Sequence, residues 1–92
     1  MIHNRIEYLQ IPDYKNYYLS KCGKCVRFIK SPTLLTPQLI PHESMRVYVL
    51  KDDICYIHTI LAKTFLKNYY DLPVKHLDGN TLNNNLYNLS LN

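Results

Sequence analysis

Three cysteines and one histidine occur at spacings that could hold a zinc ion. Cys22 and Cys25 form a C-x-x-C pair, and Cys55 with His58 forms a C-x-x-H pair. Thiolate and imidazole are the ligands that structural zinc prefers, and two such pairs supply the four ligands of a closed site. These four residues are a candidate zinc site if the fold brings the two pairs together. The alternative is that they are ordinary half-buried side chains without a metal.

A second set of candidate residues is basic. No acidic residue occurs between Asp13 and Glu43. The cations in this stretch are Lys15, Lys21, Lys24, Arg27 and Lys30. Such a stretch is either a solvated basic face or a strip that contacts phosphates, and a strip would make binding salt-dependent. Tyr14, Tyr17 and Tyr18 in the same region could stack on unpaired bases, or they could fill the core.

The bulk properties of the chain limit what it can be. Its 92 residues make a single domain, and its net charge of +4 with a pI near 9.0 favours polyanionic partners. The sequence contains no apolar run of about 18 residues, so no membrane span is predicted. The segment from Met1 to Gln10 lacks the apolar centre of a signal peptide. The odd count of three cysteines argues against a disulfide framework.

Strands are predicted in the first two thirds of the chain. Cys25 to Ile29 is a strand, with Cys25 and Arg27 on the face opposite to Val26. Three prolines in the segment 31–44 predict a loop or an irregular crossing there. Residues 45–50 alternate with period two and, with a returning strand at 54–57, predict a hairpin.

Helices are predicted from the spacing of apolar residues. The first has its apolar stripe at Ile57, Ile60, Leu61, Thr64 and Phe65. This helix should end near Asn68. A short strand at 74–77 and a turn at Asp78-Gly79-Asn80 follow, and Gly79 is predicted to adopt a positive φ. The spacing of Leu82, Leu86 and Leu89 predicts a last short helix.

The C-terminal half resembles intron-encoded and phage HNH homing endonucleases. Their pattern is a hairpin, then V-H-R-L-V-A-x-x-F, then N/D-H-x-D-G-N-x-x-N-N-x-x-x-N-L. The counterparts here are IHTILAKTF from Ile57 to Phe65 and HLDGNTLNNNLYNL from His76 to Leu89. The N-terminal half is similar to a DNA-binding module that often precedes such nucleases, with the pattern I-P-x-Y-x-x-Y-x-V-S-x-x-G-x-V. Its counterparts are Ile11, Pro12, Tyr14, Ser20, Gly23, Val26 and Arg27.

The resemblance implies roles for particular residues. His76 would be the general base that activates water, and Asn88 would orient its ring through the other ring nitrogen. One divalent metal would stabilise the leaving oxygen. The family takes one metal ligand from the residue just before the histidine, which is Lys75 here, and a protonated lysine cannot bind a cation. The other ligand follows the N-L motif by several residues and is expected beyond Asn92. Both ligands are therefore expected to be missing, and Lys75 could instead hold a phosphate where the metal sat.

These observations predict a small α+β domain, 1–92, in which antiparallel hairpins pack on one helix and the C-terminal segment is a degenerate ββα-type HNH unit. Residues 8–30 resemble the DNA-binding module, and residues 45–91 resemble the HNH region. The predicted function is non-catalytic nucleic-acid binding without a cofactor. The nucleic-acid-binding residues are predicted to be Lys15, Lys21, Lys24, Arg27, Lys30, Arg46 and Lys75.

RNA is preferred to DNA as the partner, because a small basic chain with a vestigial nuclease site suits a subunit of a ribonucleoprotein such as an organellar ribosome. Other proteins of that particle would then be partners too. One alternative is a magnesium-dependent DNA-nicking endonuclease or a fragment of one. Another is a zinc-stabilised module that binds proteins.

Overall fold

Short strands are the main regular elements of the described chain. A computed structural model describes residues 1–66, 69 and 72–91. The strands are β1 (Ile2–His3), β2 (Ile6–Glu7), β3 (Leu9–Ile11), β4 (Tyr14–Leu19), β5 (Cys25–Phe28), β6 (Pro32–Leu34), β7 (Gln38–Ile40), β8 (Met45–Leu50), β9 (Asp53–Tyr56), β10 (Lys75–His76) and β11 (Leu89–Ser90). The helix α1 spans Ile57–Phe65, and a single 3₁₀ turn spans Leu86–Asn88. No helix in the described ranges is long and apolar enough to cross a bilayer.

The strands form two main antiparallel sheets. The first sheet has the order β3-β4-β5-β6, and the second has the order β7-β8-β9. Two smaller ribbons, β1-β2 and β10-β11, each pair two residues with two. The tight turn between β8 and β9 places Lys51 and Asp52 at φ values of 49° and 70°. Positive φ at both central residues is the geometry of the turn that matches the twist of a two-residue hairpin.

The helix α1 follows β9 without a linker and closes the core. Ile57, Ile60 and Leu61 are buried, as their helical spacing predicts, and Phe65 packs against the same cluster. The cluster joins both sheets, the helix and the C-terminal ribbon through Ile11, Leu19, Cys25, Tyr48, Leu50 and Leu89. The described helix ends at Phe65, and Asn68, where its end is expected, lies outside the described residues.

The proline-containing segment 31–44 is more regular than predicted. It contains β6, which pairs with β5, and β7, which pairs with β8. Both strands lie at the edges of their sheets. Pro32 is the first residue of an edge strand, where a missing N–H costs no ladder bond, and Pro37 and Pro41 flank β7. The prolines therefore mark the ends of strands, and the predicted loop was wrong.

The predicted last helix was also wrong. The segment around Leu82 and Leu86 consists of turns, and Leu89 belongs to β11, where it pairs with His76. Asparagine side chains explain the difference: Asn80 accepts from the N–H of Leu82, and Asn85 accepts from the N–H of Tyr87. The Asn80 bond competes with a helical backbone, whereas the Asn85 bond caps the single 3₁₀ turn Leu86–Asn88, which is all that forms of the predicted helix.

The remaining strand predictions hold with shorter bounds. β8 matches the predicted range, β5 ends at Phe28, β9 ends at Tyr56, and β10 spans two residues. Cys25 and Val26 are both buried although they lie on opposite faces of β5, because β5 is an inner strand covered on both sides. Gly79 adopts a φ of 74°, which confirms the prediction for the turn.

Candidate functional site

The His76 ring is held by the amide of Asn84. His76 lies in β10, and its Nε2 is 2.9 Å from Asn84 Oδ1. An amide oxygen only accepts hydrogen bonds, so Nε2 carries the proton of the neutral ring. The free Nδ1 is then the unprotonated nitrogen, which is the form that a general base requires.

The expected role of Asn88 is wrong. Its Oδ1 accepts from the N–H of Asp78 at 3.0 Å, and its Nδ2 donates to Asp78 Oδ1 at 2.9 Å and to the carbonyl of Asn83 at 3.0 Å. Asn88 immediately precedes the residue that pairs with His76, and its side chain turns back into the loop 78–83. The residue that orients His76 is Asn84. The run of three asparagines at 83–85 marked this segment, but sequence alone did not separate their roles.

A second histidine lies against His76. The ring centroids of His58 and His76 are 5.1 Å apart at an interplanar angle of 66°. His58 lies in the first turn of α1, and its buried Nδ1 has no hydrogen-bond partner among residues 1–66, 69 and 72–91. Burial lowers the pKa of His58, and the adjacent His76 lowers it further. His58 is therefore a neutral neighbour that limits how the His76 ring can move.

Among the described residues, the potential metal ligands near His76 do not fit a magnesium ion. Lys75 is exposed and cationic at the position where the resemblance expects a metal ligand. The Asp78 carboxylate accepts from Asn83 Nδ2, from the N–H of Asn80 and from Asn88 Nδ2, and these bonds lower its pKa. Magnesium needs oxygen ligands that remain free to bind it. The described part of the chain contains no group of three or more His, Cys, Asp or Glu side chains that could hold a metal.

The four candidate zinc ligands have separate surroundings. Cys25 is fully buried in the core, and burial raises its pKa to about 12, so it remains a thiol. The exposed Cys22 Sγ lies 3.2 Å from the Ser20 hydroxyl, and Cys55 Sγ donates to the Tyr14 hydroxyl at 3.4 Å. His58 packs on His76. No set of three of these four groups is arranged to bind a metal in the described chain.

The predicted basic residues are divided among several surfaces. Lys15 and Arg27 line an open groove of about 390 Å³. Arg27 also lines a smaller hollow, together with Lys30. Lys24 and Arg46 line a different cavity, which also contains Asn84. Lys21 borders a third depression. The pairing of β4 with β5 brings Lys15 and Arg27 to one groove, whereas Lys21 and Lys24 lie in the turn between these strands and line other hollows.

We call the 390 Å³ concavity the basic groove; its cations are Lys15, Arg27 and Lys51. Lys51 was missed by the sequence interpretation. It lies in the β8-β9 turn, and its N–H donates to the Tyr17 hydroxyl at 3.2 Å, which brings the turn onto the first sheet. Tyr14 and Tyr17 pack edge to face with centroids 6.3 Å apart and form part of the wall. Both are half-buried against the core, as expected for at least one of these tyrosines.

The fold is similar to a solved structure described as DNA binding and cleavage by the HNH homing endonuclease I-HmuI, with a TM-score of 0.74 and 27% sequence identity. The similarity covers 91% of this chain and 51% of that chain, so this chain spans about half the length of the protein that it matches. No protein-family model and no curated protein matches the sequence. The chain is a small α+β domain of antiparallel sheets and one helix with the fold of an HNH homing endonuclease.

Proposed function

We propose that this chain binds nucleic acid through its HNH-type fold and does not cleave it with a metal. The observation that carries the binding part of the proposal is the similarity to I-HmuI, which covers nearly the whole chain and which both binds and cleaves DNA. A shared fold alone permits several functions, so the site must support the same conclusion.

The charge of the basic groove supports nucleic-acid binding. Lys15, Arg27 and Lys51 line it, and the one carboxylate in its wall, that of Asp13, lies 3.0 Å from Lys63 Nζ. Cations that contact phosphates release counterions, and this release makes affinity fall steeply with salt. The groove is therefore the surface where the phosphate backbone should bind.

The surroundings of His76 support the loss of cleavage. A metal contributes several kcal/mol of charge stabilisation in the transition state, and among residues 1–66, 69 and 72–91 no side chain near His76 supplies free oxygen ligands for it. The Asp78 carboxylate accepts hydrogen bonds from Asn83 and Asn88 in its own loop, and Lys75 is a cation. Without the metal, a well-placed base alone is expected to contribute only about 10²–10⁴-fold in rate.

Metal-dependent nicking is the second candidate function, because one observation favours it. The Asn84 contact leaves His76 Nδ1 free, which is the state of a working base. The zinc-stabilised module has no comparable support.

The choice between RNA and DNA stays a prediction. The similar structure concerns DNA, whereas the basic composition and the departures at the metal position favour a ribonucleoprotein subunit in our interpretation. Equilibrium competition between RNA and DNA duplexes of the same sequence would decide it, with tighter RNA binding expected.

The binding proposal is tested by two substitutions in one turn. Lys51→Asn removes a groove cation at a position where asparagine tolerates the positive φ, and Asp52→Asn removes a negative charge next to it. The dissociation constant is measured over a series of salt concentrations. We expect Lys51→Asn to weaken binding and to lower the salt slope by about 0.7–0.9. Asp52→Asn should leave affinity equal or higher.

Equal affinity of wild type and Lys51→Asn at every salt concentration would overturn the assignment of the basic groove. No measurable binding of the wild-type chain to RNA or DNA at low salt would overturn the proposed function itself. The thermal unfolding of both variants serves as the control for folding.

A further inference from the structure

A cavity of about 340 Å³ lies beside the Asn84 side chain that holds His76. Its walls come from the turn 22–24, the chain from β6 to β7, β8 and the start of α1. Most of the wall is apolar, with Leu34, Leu35, Pro37, Ile57 and Leu82 around Tyr48. The Tyr48 hydroxyl donates to the carbonyl of Gly23 at 2.6 Å, which fixes the ring in the wall. The cavity therefore suits a flat, largely apolar ligand group.

The polar groups of the cavity favour an anion. Lys24 and Arg46 line it, and no acidic residue does. Neither cation forms a salt bridge with residues 1–66, 69 or 72–91. Arg46 is half-buried, and a half-buried cation without a counter-ion gains most from an anionic ligand. Two cations beside an apolar wall match a ligand in which a phosphate is joined to a flat, largely apolar group.

Asn84 adds a hydrogen-bond donor to this wall. Its Oδ1 is occupied by His76, and its Nδ2 donates to no residue in the described part of the chain. The backbone of Asn84 is packed tightly, because a Cβ on Gly23 would approach its carbonyl oxygen to 3.2 Å. Asn84 is therefore fixed between Gly23 and His76 at the border of the cavity.

From these features we infer that the cavity binds one unpaired nucleotide of a nucleic-acid strand. Its phosphate contacts Lys24 and Arg46, and its base lies against the apolar wall formed by Leu34, Leu35 and Pro37. A stacked and paired base cannot reach such a wall, so the nucleotide has to leave the stack or be unpaired already. This inference rests on the proposed function and names the form of nucleic acid that binds best.

The test compares three duplexes of one sequence: fully paired, with a single unpaired nucleotide, and with an abasic residue at the unpaired position. Burial of the base against the apolar wall predicts that the unpaired nucleotide tightens binding by at least about fivefold over the other two. Cys22 lies at the edge of the cavity and is exposed, whereas Cys25 is buried. Alkylation of Cys22, mapped by mass spectrometry, should slow with the unpaired nucleotide at saturation and not with the abasic duplex.

Arg46→Gln and the more exposed Lys24→Gln should each remove most of the preference for the unpaired nucleotide. Lys51→Asn in the basic groove should weaken all three duplexes equally and keep the preference. Circular dichroism of each variant reports whether it folds.

The outcomes separate this inference from the proposed function. Equal binding of all three duplexes would overturn the cavity assignment and leave nucleic-acid binding intact. Equal tightening by the unpaired and abasic duplexes would overturn the base pocket in favour of a phosphate site alone. Binding of none of them would overturn both.

Discussion

His76 is positioned by two residues that are distant in sequence. Asn84 follows it by eight residues and sets its tautomer, while His58 lies 18 residues before it and packs against the ring. The amide and the aromatic contact restrict the ring from different directions. The site therefore keeps an oriented histidine, although the groups around it do not fit a metal.

The stability of the protein should depend on pH through His58. Its folded pKa lies below the ordinary value of 6.5, so the unfolded state takes up a proton first as pH falls. The free energy of unfolding should then decrease as pH drops below about 6.5, and be independent of this group above that pH. His58→Gln should show a weaker decrease between pH 7 and 5 in urea titrations. An identical pH profile for the variant would contradict the burial of a neutral His58.

Gly23 connects the first sheet to the segment that holds His76. Its φ is +88°, and an added Cβ would lie 3.2 Å from the Asn84 carbonyl oxygen, whereas Gly79, at +74°, has open space. Gly79→Ala should lower the free energy of unfolding by about 1 kcal/mol, because alanine is disfavoured at a positive φ. Gly23→Ala should lower it by about 2 kcal/mol or more, because the added Cβ would also crowd the Asn84 carbonyl oxygen. Chemical denaturation measures both. Equal losses of unfolding free energy in the two variants would show that the close approach at Gly23 does not affect stability.

The loop 78–88 is an element held by side chains. Asn88 makes three hydrogen bonds inside it, and Asn85 makes one, to the N–H of Tyr87. Removing a buried side chain that satisfies several polar groups costs more than removing a single local bond. Asn88→Ala should therefore lower the free energy of unfolding by about 2–3 kcal/mol, and Asn85→Ala by about 0.5–1 kcal/mol. A smaller loss for Asn88→Ala than for Asn85→Ala would contradict this account of the loop.

Sequence patterns predicted the elements whose period is set by one buried face. The stripe of α1 is the clearest example, since it buries a single side against the core, whereas β8 buries both Val47 and Tyr48 although they lie on opposite faces. They failed where side chains replace backbone pairing, as in the segment from Leu82 to Leu89. They also failed where prolines lie at strand edges, as at Pro32, because the position of a proline within a sheet is not visible from its count.

The candidate site was predicted only in part for a similar reason. Motif order marked His76 as a candidate, and its role stays a prediction, whereas the choice between Asn84 and Asn88 as its hydrogen-bond partner depends on how the loop folds back. Lys51 lies far in sequence from the basic stretch, and a tertiary hydrogen bond to Tyr17 brings it to the groove. Contacts between distant segments of this kind require the structure.

At the scale of the whole molecule, the fold resembles about half of a solved HNH homing endonuclease, and the surface has a basic groove and a cavity of about 340 Å³. His76 is hydrogen-bonded to Asn84, and Asn84 lines this cavity. In our proposal, these surfaces bind nucleic acid and the ligand set for cleavage has been lost. The central claim is that this chain binds nucleic acid without cutting it.

The most direct test is to incubate the chain with supercoiled DNA and with end-labelled RNA, at a concentration that saturates binding, with and without Mg²⁺. Binding is followed by retarded migration, and strand breaks are followed on denaturing gels. Our account predicts retarded complexes and no Mg²⁺-dependent breaks, with wild type and His76→Ala behaving alike. Mg²⁺-dependent breaks that disappear in His76→Ala would contradict it and establish the chain as an active nuclease.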